Sequence, residues 1–159
     1  MRILIINGPN LNLLGRREPG IYGATSFADY LGQLRAAYPQ VTIDYYQSNH
    51  EGDLIDRLHA AGYPEPDTDE AGRPLPTAPT DGVILNAGAY THTSVALADA
   101  IRAIPVPVVE VHISNVHQRE EFRRQSYISP AAAGIVVGFG LDGYRLALEG
   151  FIGKVKGEK

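Results

Sequence analysis

The chain of 159 residues is long enough for one domain with a substantial core, and its formal net charge is −4. The acidic balance argues against a nucleic-acid surface, which needs clustered Lys and Arg, and no apolar run approaches the ~20 residues of a membrane helix. The sequence has no cysteine and no signal-peptide pattern, so it excludes disulfides and a thiolate nucleophile, and we expect a cytoplasmic protein.

Five apolar runs rich in β-branched residues predict five strands, at residues 3–6, 41–46, 82–85, 106–113 and 134–137. Several of these runs are apolar at successive positions. That pattern is typical of strands that are covered on both faces. The sequence therefore predicts a parallel sheet buried between layers of helices.

The segments between the predicted strands carry apolar residues at helical spacing, which predicts four helices. Their apolar stripes are Phe27, Leu31, Leu34 and Tyr38; Leu54, Ile55, Leu58 and Ala61; Val95, Ala98 and Ile101; and Tyr144, Leu148, Phe151, Ile152 and Val155. A short helical stretch is also predicted at residues 118–124. The expected helix caps are Ser26 with Asp29, a capping box of Ser48 and Glu51, and Thr93 or Ser94.

Strands and helices alternate along the chain, which predicts a doubly wound α/β fold. Five strands with right-handed crossovers favour a flavodoxin-like parallel sheet of strand order 2-1-3-4-5. Ligands of such folds bind beyond the carboxyl ends of the strands. The polar residues that follow the predicted strands are therefore expected on one rim: Asn7, Asn10, Gln47, Ser48, Asn86, His112, Ser114 and Asn115.

The loop after the first predicted strand extends to residue 23, although such connections usually need only ~2–6 residues. It contains Arg16, Arg17 and Tyr22, which predicts a lid over a small anionic ligand. A tyrosine that acts as a base near neutral pH needs its pKa lowered from ~10 by roughly 3, equivalent to about 4 kcal/mol. One close cation lowers a pKa by about 1–3. The adjacent arginines therefore bring this role within reach.

Glu110 and His112 lie two positions apart in a predicted strand, so their side chains point to the same face. A buried carboxylate and imidazole must be satisfied by each other or by a ligand. The pair is interpreted either as a structural ion pair or as an acid–base histidine whose tautomer the glutamate fixes. The turn from Ile113 through Ser114 to Asn115 offers backbone N–H groups that suit a carboxylate.

Residues 86–94 form a third polar segment. Helix capping alone accounts for Thr93 or Ser94. Asn86 and His92 have two interpretations, either as structural residues or as groups that hydrogen-bond the hydroxyls of a polar ligand at the active rim.

Residues 62–81 are rich in proline and lack apolar periodicity. We interpret this segment as an insertion into a single domain of residues 1–159, on the rim opposite the site. It either has no catalytic role or forms an arm that touches a neighbouring subunit.

Two further patterns suggest other functions. Residues 138–143 fit the G-x-G-x-x-G pattern after a strand, but no further strand is predicted beyond the helix that follows, which argues against dinucleotide binding. The five histidines lack the spacing of metal ligands, so no metal is expected.

Four blocks, at residues 7–23, 47–52, 85–94 and 110–126, together resemble the type II 3-dehydroquinate dehydratases of the shikimate and quinate pathways. The resemblance covers nearly the whole chain. It implies reversible dehydration of 3-dehydroquinate to 3-dehydroshikimate without cofactor or metal. It also implies a dodecamer built from trimers.

The resemblance implies a role for each matching residue. Tyr22, ionised under the influence of Arg17, would remove a proton from C2, and Asn10 would help to stabilise the resulting enolate. His112, held by Glu110, would protonate the departing C1 hydroxyl. The implied substrate-binding residues are Asn86, Gly88, His92, Asp99, Ile113, Ser114, Arg119 and Arg123. Ile113 and Ser114 would bind the carboxylate through their backbone, and Asp99 would reach a neighbouring subunit's site.

Two alternatives from other classes stay open at this point. A flavodoxin-like module that binds a mononucleotide would need a phosphate cradle after the first strand, where Pro9 removes an N–H donor. A non-catalytic scaffold would not need Tyr22, Arg17, Asn10 and His112 together.

Overall fold

The core of the protein is a parallel sheet of five strands within the part of the chain that the structure describes. The computed structural model describes residues 1–16, 25–66, 70–71 and 78–157, and side chains as far as residue 154. The strands are β1 (Arg2–Asn7), β2 (Thr42–Gln47), β3 (Gly82–Asn86), β4 (Val108–His112) and β5 (Gly134–Val137). Their order in the sheet is β2-β1-β3-β4-β5. The predicted fold class and strand order are confirmed.

Four α-helices cover the two faces of this sheet among the described residues: α1 (Phe27–Ala37), α2 (Glu51–Gly62), α3 (Val95–Ala103) and α4 (Asp142–Gly157). Alternate strand residues point to opposite faces. In β1, Ile3 and Ile5 therefore pack with α1 and α4, whereas Leu4 and Ile6 pack with α2 and α3. The two apolar clusters make the sheet a rigid support for the residues at its ends.

The starts of α1 and α3 agree with the sequence. Ser26 accepts a hydrogen bond from the N–H of Asp29, and Ser94 accepts one from the N–H of Leu97. Each side chain satisfies a backbone donor that the first helical turn leaves free.

The predicted capping box of Ser48 and Glu51 is wrong. Helix α2 begins at Glu51 with His50 as its N-cap, and His50 makes no side-chain cap bond. Ser48 lies two residues before this N-cap, where its hydroxyl accepts from the N–H of His50 at 3.0 Å and donates to Asp53 at 2.7 Å. The serine therefore stabilises the approach to the helix instead of its first turn.

Two other local predictions need correction. Val95 was expected in the apolar stripe of α3 but is 55% exposed, because this helix buries Leu97, Ala98, Ala100 and Ile101 instead. The helical stretch expected at residues 118–124 is two short 3₁₀ turns, Val116–Gln118 and Glu121–Arg124. The predicted burial of Val155 lies outside the described side chains.

The end of the proline-rich segment meets the sheet at the amino-terminal end of β1. The backbone N–H of Arg2 donates to the Asp81 carboxylate at 2.6 Å, and the N–H of Asp81 donates to the carbonyl of Arg2 at 2.8 Å. Asp81 therefore lies at the opposite edge from the carboxyl ends of the strands. The single-domain organisation and the role of residues 62–81 stay predictions.

Candidate active site

A cavity of about 140 Å³ opens at the carboxyl edge of the sheet, where a doubly wound fold is expected to bind its ligand. Nine of the predicted site residues line it: Asn10, Asn86, Gly88, His92, His112, Ile113, Ser114, Arg119 and Arg123. They lie at or after the carboxyl ends of three strands, β1, β3 and β4. The structure therefore brings together side chains that are up to about a hundred positions apart in sequence.

The other predicted site residues lie elsewhere. Glu110 is fully buried behind His112. Asp99 is on α3, where its side chain is 71% exposed and pairs with Arg102 at 3.2 Å, so it does not reach the cavity of its own chain. Arg17 and Tyr22 lie outside the described residues. Their predicted roles stay predictions.

The centre of the site is the contact between Glu110 and His112 at the end of β4. The Nε2 atom of His112 lies 2.6 Å from Oε1 of Glu110. A carboxylate oxygen accepts, so Nε2 carries the hydrogen and donates it. Exchange of a proton with a ligand in the cavity is therefore left to Nδ1 of His112.

Three hydroxyl groups surround the same carboxylate. Thr91 donates to Oε1 of Glu110 at 2.6 Å and Ser126 donates to it at 2.9 Å, while Ser129 donates to Oε2. Thr91 belongs to the 3₁₀ turn Gly88–His92, and the two serines follow the turn Glu121–Arg124. We call Thr91, Ser126 and Ser129 the hydroxyl ring.

The hydroxyl ring keeps Glu110 charged despite its burial. Burial alone would raise the pKa of this carboxyl group, but the hydrogen bonds from His112, Ser129 and Thr91 outweigh it and lower the pKa to about 2. Glu110 is therefore an anion at neutral pH. It fixes the orientation of His112 through the hydrogen bond to Nε2.

His92 lies beside His112 in the cavity wall. Its Nδ1 atom is 2.7 Å from the carbonyl oxygen of Gln125, so Nδ1 carries the hydrogen. Burial lowers the pKa of His92, and the neighbouring His112 and Arg123 lower it further against the opposing bond to Gln125. His92 is therefore neutral at neutral pH, and its Nε2 atom is an acceptor suited to a ligand hydroxyl.

Two arginines supply positive charge at the rim of the cavity. The Nε atom of Arg123 donates to Glu120 at 2.8 Å, and Nε of Arg119 lies 3.7 Å from the same carboxylate. Arg119 also donates to the hydroxyl of Ser114 at 3.5 Å. Both arginines line the cavity, and their guanidinium groups suit an anionic ligand.

The first loop forms the opposite wall. Asn10 has a φ of 67°, in the left-handed region that residues other than glycine seldom occupy. Its N–H donates to the side chain of Asn49 at 3.0 Å, and Gln47 donates to the same oxygen at 3.1 Å. A strained conformation held by tertiary bonds is common at functional sites, which favours a role for Asn10.

The backbone of this loop is in direct contact with the backbone after β3. A Cβ atom on Gly8 would lie 2.5 Å from the carbonyl oxygen of Ala87, so only glycine fits there. The N–H of Gly8 donates to the carbonyl of Asn86 at 2.7 Å. This contact therefore fixes the first loop against the segment after β3, next to Pro9 and Gly88, which line the cavity.

Sequence reasoning missed the function of several residues at this site. Thr91 and Ser126 lie in the recognised blocks but had no assigned role, and Ser129 lies beyond them. These hydroxyls are 16 to 19 positions from Glu110, and no sequence periodicity connects residues at that separation.

Within the described ranges, no three histidine, cysteine or carboxylate residues are grouped so as to hold a metal ion. Nor does any helix in those ranges have the length and apolarity to cross a membrane.

The fold and site define a doubly wound α/β protein with a carboxylate–histidine pair at the carboxyl edge of its sheet. The chain belongs to the family described as Dehydroquinase class II, whose sequence model matches residues 1–152. The resemblance inferred from the four sequence blocks is confirmed.

Individual relatives agree with this assignment. The chain is 54% identical over 156 residues to the 3-dehydroquinate dehydratase of Marinomonas sp. (strain MWYL1), and the match covers 97% of each protein. It is 50% identical over 149 residues to Catabolic 3-dehydroquinase 1 of Aspergillus terreus, covering 92% of this chain and 88% of that one. The crystal structure of type II dehydroquinase from Butyrivibrio crossotus superposes with a TM-score of 0.83 at 40% identity, over 96% of this chain and 97% of that one.

Proposed function

We propose that the protein is a type II 3-dehydroquinate dehydratase that eliminates water from 3-dehydroquinate to give 3-dehydroshikimate. The observation that carries the proposal is the buried Glu110–His112 pair, which opens on a cavity lined by nine residues expected to bind or convert this substrate. Membership of the family and the names of its relatives support the same reaction.

The elimination starts with removal of the C2 proton, which is acidic because the neighbouring carbon is a ketone. Tyr22 is the proposed base and acts as a phenolate. Arg17 is proposed to lower the pKa of the Tyr22 hydroxyl, because a close cation favours the charged form. The electrons of the C2–H bond move into the ketone and form an enolate. Asn10, which lines the cavity, is proposed to stabilise this negative charge by hydrogen bonding.

Loss of water completes the reaction. The enolate expels the C1 hydroxyl as the C1–C2 double bond forms, and Nδ1 of His112 supplies the proton that turns the leaving group into water. Glu110 supports this step because a fixed anion at Nε2 stabilises the imidazolium before the transfer and holds its orientation throughout. The product is a conjugated enone, and the reverse reaction uses the same groups.

Binding of the substrate uses the remaining residues of the cavity. The backbone N–H groups of Ile113 and Ser114 are proposed to hold the carboxylate, with positive charge from Arg119 nearby. Asn86, His92 and Arg123 are proposed to bind the hydroxyls, and Gly88 lets the backbone approach the ligand closely with its φ of 58°.

We also propose a cytoplasmic dodecamer built from trimers, in which Asp99 contributes to a neighbouring subunit's site. The exposed position of Asp99 on α3 supports this part, because its side chain does not line the cavity of its own chain.

The decisive experiment is an ultraviolet assay for enone formation from 3-dehydroquinate, with the protein as purified and with the Tyr22→Phe variant. We expect absorbance to rise with the unaltered protein and turnover to vanish in the variant, while ligand affinity changes little. The absence of any enone from the unaltered protein would refute the proposed activity. Turnover retained in Tyr22→Phe would refute only the base assignment.

A further inference from the structure

A buried tyrosine connects two asparagines beneath the cavity. Tyr144 lies in the first turn of α4 and is fully buried. Its hydroxyl donates to Oδ1 of Asn7 at 2.8 Å and accepts from Nδ2 of Asn86 at 2.9 Å. Asn7 and Asn86 are the last residues of β1 and β3 and are paired in register.

The direction of these hydrogen bonds is fixed by the backbone. The N–H of Gly88 donates to Oδ1 of Asn86 at 3.2 Å, so the other end of the Asn86 carboxamide must be Nδ2, facing Tyr144. The Tyr144 hydroxyl accepts from that group and has one hydrogen left, which it donates to Asn7. A flip of the Asn86 carboxamide would place an NH₂ group against the N–H of Gly88.

The tyrosine itself cannot move easily. Its ring packs against Phe27 with ring centroids 5.0 Å apart and against Tyr30 at 6.2 Å. Burial raises the pKa of Tyr144 well above its ordinary value, so the hydroxyl keeps its hydrogen at neutral pH. Tyr144 is therefore a fixed bridge and not a carrier of protons.

We propose that Tyr144 is a positioning residue for substrate binding, because it locks the carboxamide of Asn86 in the orientation that the ligand meets. The second N–H and the second oxygen lone pair of Asn86 remain for a ligand in the cavity that this residue lines. The inference rests on the proposed function in one respect, namely that Asn86 binds substrate hydroxyls. It assigns to α4, which does not line the cavity, a share in substrate recognition.

A double-mutant cycle tests this role. Tyr144→Phe removes one oxygen atom and should raise KM for 3-dehydroquinate about fivefold, the equivalent of one hydrogen bond, with kcat and its pH profile nearly unchanged. Asn86→Ala should raise KM more. Because Tyr144 acts through Asn86, adding Tyr144→Phe to Asn86→Ala should leave KM where Asn86→Ala put it. An independent fivefold rise in the double variant would overturn the inference.

Tyr30→Phe is the matched control. It removes a hydroxyl from the same aromatic cluster, and within the described structure that hydroxyl is bonded to neither asparagine. We expect KM to stay within twofold of the unaltered protein. An equal rise in KM for Tyr30→Phe and Tyr144→Phe would mean that general loosening of the cluster is responsible, and would overturn the inference.

A measurement without substrate separates this inference from the proposed function. In the unaltered protein, the side-chain NH₂ of Asn86 should give a resolved amide signal in nuclear magnetic resonance spectra, with slow hydrogen exchange because one N–H is bonded to Tyr144. Exchange as fast as that of an exposed asparagine would overturn the inference, even if Tyr144→Phe does not fold. Slow exchange in a protein that shows no dehydration would refute the proposed activity and support the positioning of Asn86.

Discussion

The charge on Glu110 makes a quantitative prediction about acid stability. Its pKa falls from an ordinary 4.5 to about 2 in the folded protein, which corresponds to about 3 kcal/mol of the free energy of unfolding at neutral pH. The folded-state pKa is depressed, so ionisation of Glu110 stabilises the fold above about pH 4.5. This contribution is lost as the pH falls towards 2.

The perturbation that isolates this effect is Glu110→Gln. The variant cannot ionise, so we expect it to be about 3 kcal/mol less stable at pH 7 and to approach the unaltered protein as the pH falls from 4.5 towards 2. Urea unfolding followed by circular dichroism, at a fixed protein concentration and several pH values, measures both curves. The matched control is Glu65→Gln, which replaces an exposed glutamate and should follow the unaltered protein.

Two results would refute the reasoning. If Glu110→Gln loses stability with acid in parallel with the unaltered protein, the acid sensitivity belongs to other groups. If the two proteins are equally stable at pH 7, the hydrogen bonds of the hydroxyl ring and His112 do not compensate the burial of this charge.

Three further predictions concern the hydroxyl ring and the catalytic groups. Ser129→Ala removes one donor to Glu110, so the pKa of that carboxyl should rise and stability at pH 7 should fall by about 1–3 kcal/mol in urea unfolding; unchanged stability would remove Ser129 from the ring. His112→Ala should stop loss of water but preserve exchange of the C2 proton with deuterium, followed by nuclear magnetic resonance, and loss of both would contradict the assigned division of labour. Arg17→Ala should shift the pH–rate profile to higher pH, because removal of the cation raises the pKa of Tyr22. An unmoved profile would assign the activation of that tyrosine to another group.

The main features of the fold could be predicted because two physical regularities act over whole segments. Continuous apolar runs indicate strands that are buried on both faces, and the right-handed crossover limits how such strands can be ordered. Predictions failed where the local structure depends on a single residue. The stripe containing Val95 was chosen from spacing alone, but neighbouring residues of the same helix bury a better apolar face.

The candidate site was only partly accessible from sequence. Glu110 and His112 could be paired because strand geometry fixes the direction of residues two apart. The hydroxyl ring could not be predicted from the sequence, because serine and threonine in loops are also common as caps and turn residues. The bridge at Tyr144 could not be foreseen either, since an apolar stripe explains a tyrosine in α4 without any need for its hydroxyl.

The glycine at position 8 has a consequence for the thermodynamics of ligand binding. Main chain packed against main chain has no rotamers to select, so the neighbouring residues Pro9 and Gly88, which line the cavity, are held in position before a ligand arrives. Little conformational entropy is then lost there on binding, which improves affinity without any additional contact. Attempts to change ligand preference should therefore leave the contact between Gly8 and Ala87 intact and vary the side chains that line the cavity.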